Sequence, residues 1–316
     1  MREAVVAVLG AAGFIGRHTV ARLAEQGAVI RALSRDPDRA LHLKPLGEVG
    51  QIVLIGCDPL DDRSLREALA GARHAVNLIG ILYERRAGEF DRVHGELPGR
   101  LGRIAREEGL ERVVHVSAIG ADPASPSAYA RSKAKGEAAL RAERPDAVIL
   151  RPSIVFGPED QFFNRFAAMA SLAPALPLIG GGRTRFQPVH VGDVAQAIVA
   201  ALSRADTAGR TYELGGPRVA TFRELLVYML AVTRRRRLLV DLPFALARLQ
   251  GRLFGLLPNP PLTADQVRLL ERDNVVSPDM PGLAELGIAP TPMEAVVPLY
   301  LDRFIPETRR SRREAS

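Results

Sequence analysis

Cysteine is almost missing from this chain: Cys57 is the only one among 316 residues. A disulfide framework is therefore excluded, and a reducing compartment is expected. As a lone thiol, Cys57 reads as core filler rather than as a nucleophile. Tryptophan is absent and aromatic residues make up 5% of the chain, so there is no basic stripe interleaved with stacking rings to grip a nucleic acid. The formal charge of +7 does not alter this, because Lys44, Lys133 and Lys135 are the only lysines and arginine supplies the other cations. Such an arginine bias fits a GC-rich genome. Also missing is any run of about 18 uninterrupted apolar residues, the length needed to span a bilayer. The apolar start of the chain is broken by Gly10 too early for a signal peptide. A soluble protein, or one held on a membrane surface, is expected. Histidines with metal-ligand spacing, paired carboxylates and a Ser-His-Asp arrangement are lacking too, so no metal is expected. No repeat period is visible.

What is present begins at once. The run Gly10-Ala11-Ala12-Gly13-Phe14-Ile15-Gly16 directly follows the apolar segment Ala4 to Leu9, which reads as a buried strand turning into a helix. Glycine at these spacings permits a tight turn, close approach of backbone to a pyrophosphate, and tight packing of helix on strand. The exposed amides at the helix start, from Ala12 through Gly16, then meet the negative charge. A dinucleotide site is expected here.

Short apolar, β-branched runs recur at Val29 to Leu33, Gln51 to Ile55, Ala75 to Ile79, Arg112 to Val116 and Ala147 to Leu150, with helical stretches between them. That alternation predicts an α/β Rossmann-type doubly wound parallel sheet. Its ligand chemistry belongs at the carboxyl ends of the strands. Residues 1–156 form the expected nucleotide domain. A smaller C-terminal capping region, 157–306, is interleaved with the last sheet strands, and 307–316 is a basic tail. Regular structure resumes at Gln187 to Val191, with Asp193 starting a helix and a strand near Tyr212 to Leu214.

The strand Val113 to Val116 delivers Ser117 to the sheet's carboxyl edge, and Tyr129 and Lys133 share one face of the helix that follows. A tyrosine alone is a poor acid or base near neutrality, since its ordinary pKa is about 10. A lysine ammonium beside it stabilises the phenolate and reaches ribose hydroxyls, while a serine hydroxyl orients a substrate oxygen. Ser117, Tyr129 and Lys133 are thus the candidate catalytic set. Ser125 and Ser127 could take the place of Ser117, or any of the three could serve a Pro-rich turn.

The glycine loop, Asn77-Leu78-Ile79-Gly80, His115-Val116-Ser117 and Tyr129-x-x-x-Lys133 resemble the short-chain dehydrogenase/reductases, in their atypical or extended form. The likeness runs essentially end to end. More narrowly, Leu41-His42-Leu43-Lys44-Pro45-Leu46-Gly47, Phe156-Gly157-Pro158-Glu159-Asp160 with Phe163-Asn164, and Gln187-Pro188-Val189 are similar to the nucleotide-binding accessory subunits of respiratory complex I, the alpha subcomplex subunit 9 family. Pro281-Gly282-Leu283, Leu286-Gly287-Ile288 and Thr291-Pro292 extend the match. That resemblance implies a tightly held NADPH serving structure and assembly, complex I subunits as partners, and a peripheral place on the cytoplasmic side of the inner membrane, which is the matrix side in a eukaryote. The Ser117 to Tyr129 loop is shorter than in the extended sugar-nucleotide reductases.

The residues bear on the cofactor as well. A carboxylate closing the second strand would repel a ribose 2′-phosphate. Here Ser34-Arg35 closes it, and a hydroxyl with a guanidinium suits that phosphate, so NADP(H) is preferred over NAD(H). Arg35 could equally be an exposed turn residue. Asp58, after the third strand, is a candidate for the adenine edge or for a turn. Asn77 and Gly80 lie where backbone passes the cofactor, and Pro152 with Ser153 would stand near the nicotinamide.

Two further features are open between solvent and partner. The stretch Phe244 to Leu257, ended by Pro258, reads as an amphipathic helix with Arg248 and Arg252 four apart. It either covers a core or faces a membrane or partner. The clusters Arg234 to Arg237 and Arg309-Arg310-Ser311-Arg312-Arg313 are solvated segments or docking points for anionic lipid or an acidic partner. Two rival functions stand beside the accessory subunit: a working NADP(H)-dependent reductase or nucleotide-sugar epimerase, and a sensor of the NADP(H) redox ratio.

Overall fold

The computed structural model describes residues 1–255, 257 and 260–306. Strands and helices alternate through the first half as β1 (Val5–Leu9), α1 (Phe14–Glu25), β2 (Val29–Ser34), β3 (Ile52–Gly56), α2 (Asp62–Leu69), β4 (His74–Asn77), α3 (Leu97–Glu107), β5 (Arg112–Val116), α4 (Ala128–Glu143) and β6 (Val148–Pro152). There follow β7 (Val155–Phe156), α5 (Phe163–Leu172), β8 (Ala175–Ile179), β9 (Arg185–Phe186), β10 (Val189–His190), α6 (Val191–Ser203) and β11 (Thr211–Leu214). The chain continues through β12 (Ala220–Thr221), α7 (Phe222–Val232), β13 (Leu238–Leu242), α8 (Phe244–Phe254), α9 (Ala264–Leu269) and α10 (Met293–Leu301). Pro258 and the arginine cluster 309–313 of the expected tail lie outside the described residues.

Two compact units divide the chain, and the first comprises Met1–Pro152, Val191–Leu214 and Ser277–Ala289. Its seven strands form one sheet in the order β11-β6-β5-β4-β1-β2-β3, and every pairing in it is parallel. The expected doubly wound fold is therefore present. Strand order reverses between β1 and β4, which is where such sheets open a crevice beyond the strand ends. Strands buried on both faces need apolar side chains on both, and β1, β4 and β5 are almost wholly buried. Leu9, Leu33, Leu65, Leu69, Leu97, Leu101 and Ile104 fill one face of the sheet. Each such side chain contributes about 1.5–3 kcal/mol on burial.

The second unit, Ser153–His190, Gly215–Val276 and the chain from Pro290 on, gathers aromatic residues that the chain otherwise uses sparingly. Phe156, Phe162, Phe163, Phe166, Phe186 and Phe222 meet edge-on or tilted within it, the arrangement that ring quadrupoles favour. Asp160, buried, accepts backbone N–H bonds from Phe162 and Asn164 and the Tyr300 hydroxyl at 2.5 Å. A Pro-containing loop is thereby tied to α10.

Several expected boundaries move, each for a local reason. The strand expected over Ala75 to Ile79 stops at Asn77, whose side-chain oxygen takes the Ile79 N–H at 3.1 Å and turns the backbone out of the ladder. Gln187 is not in a strand, because its side chain donates to Gly216 and accepts from Val276, leaving only Val189 and His190 to pair. Helix α6 starts at Val191, so Asp193 sits in its first turn. Helix α8 ends at Phe254, short of Leu257.

Candidate functional site

At the carboxyl end of β1 the chain makes the turn that the glycine spacing demands. Gly10 adopts φ +79°, and a β-carbon there would stand 3.2 Å from the backbone of Leu78 and Ile79 beyond β4. Gly16 is the stricter case: a β-carbon there would stand 2.2 Å from the Gly10 carbonyl oxygen. Gly13 donates its N–H to that carbonyl at 3.0 Å and serves as N-cap of α1. No side chain caps the helix and no acidic residue lies in its first turn. The early amides, at Phe14, Ile15 and Gly16, are thus left for an anion, with Ala12 in the turn before them.

The second strand ends differently from expectation. The Ser34 hydroxyl turns back on its own chain, donating to the Asp36 carbonyl at 2.8 Å and accepting the Asp36 N–H. Arg35 is exposed and has no ion-pair partner among the described residues. The Asp36 carboxylate is taken up by Arg39 at 3.0 Å, which offsets the negative charge beside Arg35. Asp58 uses one carboxylate oxygen on the Leu60 N–H at 3.0 Å, a turn bond that occupies only part of its acceptor capacity.

Around the ends of β4, β5 and β6 the structure brings most of the remaining candidates together. Asn77 and His115 are register partners, and the Asn77 amide nitrogen lies 3.2 Å from His115 Nδ1. Because Asn77 Oδ1 already accepts from Ile79, the amide donates and Nδ1 accepts, which puts the imidazole proton on Nε2. That Nε2 is buried without a hydrogen-bond partner among the described residues, as is the Ser117 hydroxyl two residues along. Residues two apart share one side of a strand, so both polar atoms belong to one surface at the sheet's edge. Lys133, almost fully buried, points its ammonium at the Val116 carbonyl, 3.4 Å away, and stands 5.9 Å from the Tyr129 ring centroid. Gly80 passes beside it: a β-carbon there would be 3.6 Å from Lys133 Nζ. Pro152 closes β6, and its carbonyl takes the Ile119 N–H at 3.1 Å.

Burial sets the electrostatics. Desolvation pushes the Tyr129 phenol up to about 12 and draws the Lys133 ammonium down to about 8, the latter partly opposed by Glu137. His115 is held neutral, down to about 3, by burial and then by the Lys133 charge. Ser125 and Ser127 have other uses, since Ser127 caps α4 through the Ala130 N–H and Ser125 accepts the Ser127 N–H at 3.2 Å. Ser153 bonds Asn274 within the second unit. The sequence reading missed His94 and Ser132, buried beside Tyr129 and 3.0 Å apart. Their separation along the chain leaves no local pattern to find. No group of three or more His, Cys, Asp or Glu among the described residues is placed to hold a metal ion.

A glycine cradle, uncapped helix amides and buried polar atoms at the switch point together fit a dinucleotide. Comparison with known proteins agrees. The profile of the NAD dependent epimerase/dehydratase family matches residues 6–215. The rat protein named NADH dehydrogenase [ubiquinone] 1 alpha subcomplex subunit 9, mitochondrial, is 38% identical over 293 residues, covering 92% of this chain and 78% of its own length. The Arabidopsis thaliana protein of the same name is 39% identical, covering 90% and 74%. Among solved structures, MoeE5 in complex with UDP-glucose and NAD superposes with a TM-score of 0.71 at 20% identity, covering 98% of this chain and 99% of that one. At that identity the likeness speaks for the fold alone.

Proposed function

Because this chain belongs to the NAD dependent epimerase/dehydratase family and, within it, to the family of alpha subcomplex subunit 9 proteins, we propose that it is a peripheral accessory or assembly subunit of respiratory complex I holding a nicotinamide nucleotide mainly as a structural ligand. One observation carries this reading: the similarity to complex I subunits runs past the nucleotide fold and through nearly the whole chain. In this role the nucleotide is NADP(H). Arg35, exposed at the end of β2 with no ion-pair partner among the described residues and with Asp36 engaged by Arg39, supports the choice, since a guanidinium suits a ribose 2′-phosphate. Gly10, Ala12, Gly13, Phe14, Ile15 and Gly16 would hold the pyrophosphate. Asp58 would serve the adenine edge, and Asn77, Gly80, Ser117, Tyr129, Lys133 and Pro152 would face the nicotinamide half. A bound nicotinamide supplies a hydride donor or acceptor.

Burial raises the Tyr129 phenol to about 12, so it holds its proton near neutrality, a form that suits a hydrogen bond to the nucleotide and equally suits a proton donor. The subunit would sit on the cytoplasmic side of the inner membrane, or the matrix side in a eukaryote. No helix among the described residues is long and apolar enough to cross a membrane. Contact with the membrane surface would run through α8, whose Leu246, Leu249 and Leu253 are exposed, and through the arginine clusters.

A second reading, a working reductase or epimerase, draws on the grouping of Ser117, Tyr129 and Lys133. There Ser117 and Tyr129 would orient a substrate oxygen, and the Tyr129 hydroxyl would move the proton.

Paired variants separate the two. Tyr129→Phe should assemble into complex I normally, whereas Gly13→Asp should lose both nucleotide and assembly. Normal assembly of a Gly13→Asp chain without nucleotide would end the structural-ligand proposal. A substrate-dependent change in bound NADPH that vanishes in Tyr129→Phe would favour the enzyme.

A further inference from the structure

Ahead of α3 the chain passes through a π-helical stretch, Asp91–Glu96. Such widened turns are uncommon and collect at functional sites. The residue at its centre is His94, 1% exposed, with both ring nitrogens engaged. Nε2 accepts the backbone N–H of Ile81 at 3.0 Å. Nδ1 lies 3.0 Å from the Ser132 hydroxyl oxygen, and that hydroxyl donates to the Tyr129 carbonyl at 2.8 Å. A nitrogen that accepts an N–H carries no proton, so the ring hydrogen is on Nδ1 and is donated to Ser132. The network admits one tautomer of a neutral imidazole.

The surroundings hold the ring in place. Phe90 stacks on it with centroids 5.3 Å apart, and Tyr129 meets it edge-on at 5.2 Å. On the α4 side the backbone is in direct contact: a β-carbon on Gly136 would lie 1.8 Å from the His94 carbonyl oxygen. Gly80, one residue before Ile81, sits with its β-carbon position 3.8 Å from His94 Nε2 and 3.6 Å from Lys133 Nζ.

We infer that His94 is a positioning residue of the nucleotide site, a neutral imidazole clamping the Asn77–Ile81 loop to α4 and so setting where Lys133 and Tyr129 meet the nicotinamide half. The inference rests on the NADP(H) reading above. Protonation would deprive Ile81 of its acceptor and set a second cation beside Lys133. Burial and the Lys133 charge accordingly draw the ring down to about 2. The ring bonds Ser132 and Ile81, the latter two residues past the point where Leu78 and Ile79 meet Gly10, so the clamp bears chiefly on the nicotinamide half of the dinucleotide.

That selectivity gives the test. The full chain is titrated with NADPH and with adenosine 2′,5′-bisphosphate, which lacks the nicotinamide half. His94→Phe, which keeps a ring and loses both bonds, should weaken NADPH about tenfold, equivalent to about 1.4 kcal/mol. The bisphosphate should bind as in the parent. His94→Gln, offering one acceptor and one donor, should restore most of the NADPH affinity. Ser132→Ala removes one anchor without disturbing the core and should show the same selective loss, even should His94→Phe not fold. Equal loss for both ligands, or unchanged NADPH binding in Ser132→Ala and His94→Phe, overturns the clamp while leaving the nucleotide reading intact. Failure of the parent chain to bind either ligand overturns the nucleotide reading, and the clamp with it.

Discussion

In the proposed NADP(H) role, Arg35 is the residue that would set cofactor choice. Its guanidinium is exposed and has no ion-pair partner among the described residues, while the neighbouring carboxylate of Asp36 is engaged by Arg39. Reversing the charge with Arg35→Glu should cut NADPH affinity by about tenfold or more and leave NADH nearly unchanged, since each tenfold corresponds to about 1.4 kcal/mol. Titration of both nucleotides checks this; equal losses would assign Arg35 to the turn alone. Buried imidazoles give a second residue-scale expectation. His115 lies against Asn77, and burial together with the Lys133 charge draws its folded pKa down to about 3, below the unfolded value of about 6.5. The unfolded chain therefore binds a proton as pH falls below about 6.5 and the folded chain does not, so stability declines on acidification. The limiting slope is about 1.4 kcal/mol per pH unit for the one proton. Denaturation curves between pH 7 and pH 5 should fall less steeply for His115→Asn than for the parent. Parallel slopes would show that the ring titrates normally.

Among the elements, α8 shows how a stripe divides. Ala247 and Gly251 are buried, with Gly251 against the start of α9, whereas Leu246, Leu249 and Leu253 line the opposite side in the open. Arg248 is tied to Glu271, and Arg252 has no ion pair among the described residues. Leu249→Glu should therefore leave thermal stability within about 0.5 kcal/mol of the parent, as surface changes usually do. It should also reduce flotation with vesicles containing anionic phospholipid. Unchanged flotation would remove α8 from the membrane proposal. The sequence made elements legible where periodicity is strong: β1, the glycine turn, α1 and the parallel strand alternation all follow from local pattern. It hid what depends on distant chain segments. Nothing near Asn77 announces that its side chain will end β4, and nothing near His94 points to Ser132. For the candidate site, residue types and strand ends were readable, but the use of Ser127 as a helix cap and the inward turn of the Ser34 hydroxyl required coordinates. Ser, Asp and Asn choose between ligand and backbone by geometry alone.

At the scale of the whole molecule, a nucleotide bound by the folded chain alone is a stabilising ligand. Held at 100 times its dissociation constant it adds about 2.7 kcal/mol to folding stability. That is a large share of the marginal stability ordinary proteins have. In the proposed accessory role, this contribution would make assembly depend on cofactor without any hydride transfer. The central claim is that this chain resides in complex I with its nucleotide in place. The most direct test is to tag it in its own cells, dissolve the membranes gently, and identify co-purifying proteins and released nucleotide by mass spectrometry. Complex I subunits together with NADPH, in an amount matching the chain, are the predicted result; recovery of the chain without those subunits, or of the assembled complex without nicotinamide nucleotide, would contradict it.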